Sequence, residues 1–214
     1  MASATARSSG TRVIAGTVLL LVIALAAGCA GSGYTYVSSK STKTFFKVPD
    51  NWEVFEKGEV LDNPGEYLAA DASDRFLVAF DGHPEPTLSH DFVTGNYPFG
   101  VARVRELGME EHDQYSFMKL RNEIVPLDDL LQQNEGAVSL EAPAELITRE
   151  GLRGSKLEYT VHLQNGSFTM AQVGFVDTET RTVWFLAVGC SADCYRQHKG
   201  DIHRVLDSWR VEEK

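Results

Sequence analysis

Leu157, Tyr159, Val161 and Leu163 alternate with Glu158, Thr160, His162 and Gln164. A period of two is the mark of a strand with one buried and one polar face. Asn165-Gly166 follows, and Phe168 and Met170 resume the apolar positions. An Asn-Gly step between two alternating runs predicts a β-hairpin. Residues 183–188, VWFLAV, are apolar at every position. A strand of that kind needs cover on both faces. Beyond it Tyr195, Ile202, Val205, Leu206 and Trp209 recur at helical spacing and keep one face. Ser191 is placed to cap that helix, and Asp193 falls in its first turn. Residues 209–211 read as a short closing strand.

The first half is less regular. Residues 44–48 alternate toward a strand and run into Pro49-Asp50-Asn51, a tight-turn signature. Residues 52–55 and the run FLVAF at 76–80 predict two more strands, and residues 100–104 read as a further strand or the end of a loop. Phe117, Leu120 and Ile124 have helical spacing within 115–124. Pro126 fits the first position of a short helix carrying Leu127, Leu130 and Leu131. Residues 136–143 break the pattern. Antiparallel strands with helices to cover both faces define an α+β sandwich.

The opening thirty residues follow a different rule. Arg7 and Arg12 precede the uncharged stretch VIAGTVLLLVIALAA at 13–27, and small residues lead to Cys29. A basic segment, an apolar segment and a small-residue end are the parts of a secretory signal. Leu25-Ala26-Ala27-Gly28-Cys29 resembles the lipobox of bacterial lipoproteins, with Ala26 where Leu is usual. The resemblance implies cleavage before Cys29 and acylation of its thiol. One acyl chain binds a bilayer marginally, whereas two or more anchor stably. Residues 1–28 are thus expected to be a signal peptide and Cys29 the lipid anchor. A plain cleaved signal and an uncleaved membrane span are the alternatives this stretch allows. All three send the body of the protein out of the cytoplasm. The small and polar residues that follow, to position 43, predict a short flexible tether over 29–43, with some strand character at 34–37. One domain is expected over 44–214.

The chain has 214 residues and a net charge of -10. Such acidity argues against nucleic acid as a partner, since phosphate contacts need clustered Lys and Arg. It also means that anionic lipid would repel the body. The membrane is therefore reached through the lipid.

With Cys29 acylated, Cys190 and Cys194 remain, and a pair in an oxidising compartment predicts a disulfide. The four-residue step from strand end to first helical turn can meet its reach. The rival is a metal site with His198 and His203. Residues eight apart on one helix are about 12 Å apart along its axis, so Cys190 and His198 need help from elsewhere to share an ion. No metal and no cofactor is expected.

No P-loop, dinucleotide fingerprint, HExxH or nucleophile elbow occurs. Glu110-Glu111-His112-Asp113 could form a base or metal site, but adjacent residues rarely converge, and a solvated loop is the simpler reading. Asp128-Asp129 reads as the polar face of a short helix. His162 could line a groove on the polar side of its strand. Trp52, Trp184 and Trp209 read as core, with ligand stacking the alternative.

Phe46-Lys47-Val48-Pro49-Asp50-Asn51-Trp52 resembles the opening of PsbP-like domains, and Leu206-Asp207-Ser208-Trp209-Arg210-Val211 resembles their close. Within that group the chain looks most like LpqN-type actinobacterial lipoproteins. The resemblance implies a central antiparallel sheet with helices on both faces and a non-enzymatic role. PsbP proteins bind photosystem II and a eukaryotic relative binds a small GTPase, but no partner-binding motif carries over to these residues. The expectation is a lipid-anchored interaction or scaffold protein on the outer side of the cell membrane, docking a protein of the envelope. A carrier of a small apolar ligand or lipid, with a pocket between sheet and helices, is the alternative. An envelope hydrolase built around His112 or His162 is the second alternative.

Overall fold

The computed structural model describes residues 33–63, 71, 73–149 and 151–212. The expected signal peptide and Cys29 lie outside the described residues. From Tyr34 onward the chain forms one compact unit.

Eleven strands are described, and every pairing is antiparallel. β1 (Tyr34–Ser39), β2 (Thr44–Pro49) and β11 (Arg210–Val211) make a small sheet in the order β1-β2-β11. β3 (Glu53–Glu56), β4 (Phe76–Asp81), β5 (Phe99–Glu106), β10 (Thr182–Ser191), β9 (Gly166–Asp177), β8 (Leu152–Leu163) and β6 (Val138–Leu140) lie in that order in the large sheet. β7 (Glu145–Arg149) also pairs with β8, at its other end. The helices are α1 (Lys57–Asp62), α2 (Met109–His112), α3 (Phe117–Arg121), α4 (Leu127–Gln133) and α5 (Ala192–Asp207).

β10 runs through the middle of the large sheet, and its residues are buried on both faces. Trp184, Leu186, Val188 and Cys190 face a core shared with α5 and the small sheet. Val183, Phe185 and Ala187 face a second core, which includes Val60 of α1, Leu120 of α3 and Leu127 of α4. The sandwich therefore has helices on both faces. Phe46 and Trp209 stack at 5.9 Å, and Trp52 stacks on Phe80 at 6.0 Å. The indole of Trp184 donates to the Thr42 carbonyl, 3.1 Å away. All three tryptophans belong to the first core.

Within the tether expected over 29–43, residues 34–39 form β1. β1 pairs along its length with β2, from Tyr34↔Pro49 to Ser39↔Thr44, and Val37 packs into the first core. An alternating strand of six residues has no partner visible in its own sequence, so its pairing emerges only in the fold. The helix read over 115–124 shrinks to the five residues of α3, because Asn122 ends it by bonding forward to Asp128. The β8–β9 hairpin closes Leu163 onto Gly166, so its turn residues are Gln164 and Asn165, one position earlier than the Asn-Gly signal. Residues 136–143 contain β6, and β7 follows. Both are short edge pieces without the length for periodicity to show.

Candidate functional site

Gly174 lets α3 sit close to the sheet, because a methyl group there would come within 2.6 Å of Leu120 Cδ1. Ser116 caps α3, accepting from the Lys119 backbone N–H. Polar bonds join the helix to β8 and β9. The Tyr159 hydroxyl donates to Gln172 Oε1 at 3.1 Å, and Gln172 Nε2 donates to the Arg121 carbonyl at 3.2 Å. Burial pushes the Tyr159 hydroxyl well above its ordinary range, so it remains a donor. Arg121 pairs with Asp128 at the start of α4, and Asn122 Nδ2 donates to the same carboxylate at 2.7 Å. Asp128 is thus a clasp between two short helices.

Outside this clasp, between the helices and the β6–β8 edge, lies a half-open groove of about 410 Å³. Met118, Leu131, Val138, Leu140, Leu146 and Leu157 line it. Met118, Leu140 and Leu146 are more than half exposed, at 57%, 56% and 68%. Arg121 is the one charged side chain in its lining, and its Nε is buried without a hydrogen-bond partner. Pro126 and Leu130 border a second apolar recess of about 180 Å³, with Leu163 and Phe168 on the sheet side. Recesses lined mainly by apolar side chains are candidate binding places.

The residues singled out for chemistry are dispersed. Glu111 accepts from Arg105 at 3.1 Å and from the Gly108 N–H at 3.0 Å, in place of any bond to His112. Burial would raise Glu111, but these bonds outweigh it and hold the carboxyl below its ordinary range. Arg105 also binds Glu123, which accepts from the Tyr115 hydroxyl. Burial and the Glu123 charge push that hydroxyl far up. The network is a fastening between β5 and the α2–α3 segment. His162 lies between two hydroxyls, Ser139 Oγ at 2.9 Å and Ser167 Oγ at 3.1 Å. No carboxylate is bonded to its ring among the described residues, so a triad's third member is missing.

Cys190 and Cys194 are joined, with S–S 2.07 Å and Cα–Cα 5.9 Å. His203 Nε2 is 3.0 Å from Glu158, and His198 lies toward the Tyr97 ring, 6.4 Å between centroids. Among the described residues no three His, Cys, Asp or Glu side chains are placed to share a metal ion.

Sequence reasoning passed over one histidine cluster. Buried Asp81 accepts from His90 Nδ1 at 2.6 Å and from the backbone N–H groups of His83 and Thr87, both at 2.9 Å. The His83 and His90 rings lie 4.4 Å apart. The signal was an acid at a strand end followed by two histidines, but its convergence needs the folded loop. The groove was also passed over, because its walls come from three separate stretches of chain.

No family model matches the chain, and no curated protein does. Solved structures do. The solution structure of cyanobacterial PsbP (CyanoP) from Synechocystis sp. PCC 6803 is similar over 86% of this chain and 96% of that one, with a TM-score of 0.51 at 14% identity. The fold is PsbP-like. LpqN of Mycobacterium tuberculosis, described as involved in cell envelope biogenesis, is similar over 84% of this chain and 91% of its own, with a TM-score of 0.48 at 12% identity. The Ran-binding protein Mog1p of Saccharomyces cerevisiae is similar over 83% and 95%, with a TM-score of 0.47 at 5% identity. At such identities the PsbP-like likeness concerns architecture alone.

Proposed function

We propose that this protein is a non-enzymatic binding protein, held by acylated Cys29 on the outer side of the cell membrane, that docks a protein partner of the envelope. The half-open apolar groove beside α3 and α4 carries the reading. Its rims expose Met118, Leu140 and Leu146, so a partner's apolar side chains can enter from outside without opening the core. Crosslinking in intact cells should enrich one envelope protein with the wild-type chain, and Met118→Asp with Leu146→Asp should abolish that enrichment. Equal enrichment by both would refute the groove as the docking surface.

A second reading is carriage of a small apolar ligand. The apolar lining of both recesses favours it, since an acyl chain would bring no polar group needing a partner there. Native mass spectrometry separates the two: a carrier retains a ligand of discrete mass, and a docking protein does not. A hydrolase draws least support, because His162 meets two hydroxyls and no acid.

A further inference from the structure

The small sheet has two unlike faces. Val37, Phe46, Val48 and Val211 turn inward to the first core. The register places Tyr34, Tyr36 and Ser38 of β1, Phe45 and Lys47 of β2, and Arg210 of β11 together on the other face. Tyr36 and Phe45 are 57% and 38% exposed, and their rings stack at 5.8 Å. Lys47 Nζ lies 4.1 Å from the centre of the Tyr34 ring. Aromatic rings left in solvent forgo the gain that burial would bring.

The charge of this face is opposite to that of the molecule. The chain carries a net charge of -10, yet the three strands hold Lys47 and Arg210 and no acid. Lys40 and Lys43 add exposed bases in the β1–β2 turn. Acids stand at its border. Asp50 follows β2, and Glu212 follows β11, where its N–H donates to the Lys43 carbonyl at 3.1 Å. Asp201 and Asp207 of α5 are paired with Arg204 and Lys156.

Aromatic rings beside bases match the boundary of a bilayer. Tyr settles at head-group depth, and Lys and Arg meet anionic head groups. A second copy is a poor match, since a two-fold contact would set these bases against their own kind. Tyr34 is five residues beyond Cys29, and an extended chain of that length spans at most about 18 Å. A lipid on Cys29 would hold the face near the bilayer at an effective concentration of about millimolar, so a weak contact suffices. We infer that this face of the small sheet lies against the anionic head-group surface of the membrane. The lipid holds the chain, and the face sets how the body is turned. The inference rests on the acylated Cys29 of the proposed function. α3 and α4 pack on the other side of the large sheet, so this pose leaves their groove open to a partner.

The test uses the full chain purified from membranes and returned to vesicles of phosphatidylcholine and phosphatidylglycerol in equal parts, doped with a lipid that carries a diazirine in its head group. Intact mass first reports the acyl chains. After illumination, peptide mass spectrometry locates the crosslinks, which should concentrate at 34–38 and 45–47. Tyr36→Ser with Phe45→Ser, both at exposed positions, should reduce them to the level of the rest of the surface while cooperative unfolding is retained. Lys47→Gln should lower the yield about fivefold, the worth of one base near an anionic surface, and leave it unchanged on vesicles of phosphatidylcholine alone. Met118→Asp, in the apolar groove, should change nothing, which keeps failure of this face separate from failure of the docking surface. Crosslinks spread evenly over the body, none at 34–38 and 45–47, or an unchanged yield in the double variant would each overturn the proposal and leave the anchor standing. A mass without acyl chains would remove the anchor and this proposal with it. Copy-to-copy crosslinks through Tyr36 would overturn it in favour of a dimer.

Discussion

A methyl group on Gly154 would stand 2.2 Å from the Gly174 carbonyl oxygen and 2.6 Å from the Phe175 ring. Both neighbours are held by the β8–β9 register, so neither can give cheaply. Gly154→Ala should destabilise the fold by about 1–3 kcal/mol, the cost of overpacking a close contact. Chemical denaturation measures it. The Cys190–Cys194 link closes a very short loop, and the chain-entropy model gives it on the order of 2 kcal/mol. Intact mass with and without reductant should differ by two hydrogens, and two free thiols in secreted material would remove the bridge from the account. At this scale the sequence was legible where local chemistry is strong. Ser191 accepts from the Cys194 N–H and caps α5 as its position foretold. The bond from the Trp184 indole to the Thr42 carbonyl was not legible, because only the fold brings the two together.

α5 is fastened to the sheet by charge as well as by its apolar stripe. Glu158 of β8 meets Lys199 Nζ at 2.6 Å and His203 Nε2 at 3.0 Å, and Lys156 meets Asp207 at 2.6 Å. Burial alone would raise Glu158, but Lys199 and His203 outweigh it and hold its carboxyl below the ordinary 4.5. A carboxyl lowered in the folded state binds fewer protons there than in the unfolded chain. Its contribution is therefore complete above the unfolded value and fades as pH falls through the folded one. Glu158→Gln should flatten the loss of stability below about pH 4.5, measured by thermal melts across the acid range. An unchanged acid limb would show that the Glu158 cluster contributes nothing. α3 depends instead on close approach to the sheet at Gly174. Gly174→Ala should push Leu120 off the sheet at a cost of about 1–3 kcal/mol. Elements with a long period were readable from the chain: β8, β9, β10 and α5. β6, β7, α1 and the partner of β1 were not, since a few residues carry too little pattern to separate from loop.

The molecule as a whole is acidic, with a half-open apolar groove and a polar cleft, and its sequence opens with a stretch expected to be a leader ending before Cys29. If Cys29 carries the proposed lipid, Cys29→Ala should lose metabolic acyl labelling and leave the membrane fraction. Labelling that persists in the variant would sink the anchor. Two chains on one sulfur would hold the body without any basic surface, which suits a net charge of -10.

The long strands of the hairpin, the double-sided burial of β10 and the amphipathic α5 were written in the chain, because the periods of two and 3.6 follow directly from backbone geometry. So was the cap on α5, which acts through neighbouring residues. The second sheet, the clasp of Arg121 and Asp128, the groove and the cleft belong to the tertiary structure. Each joins residues far apart in sequence, and no local pattern encodes a contact whose two halves are set by packing elsewhere.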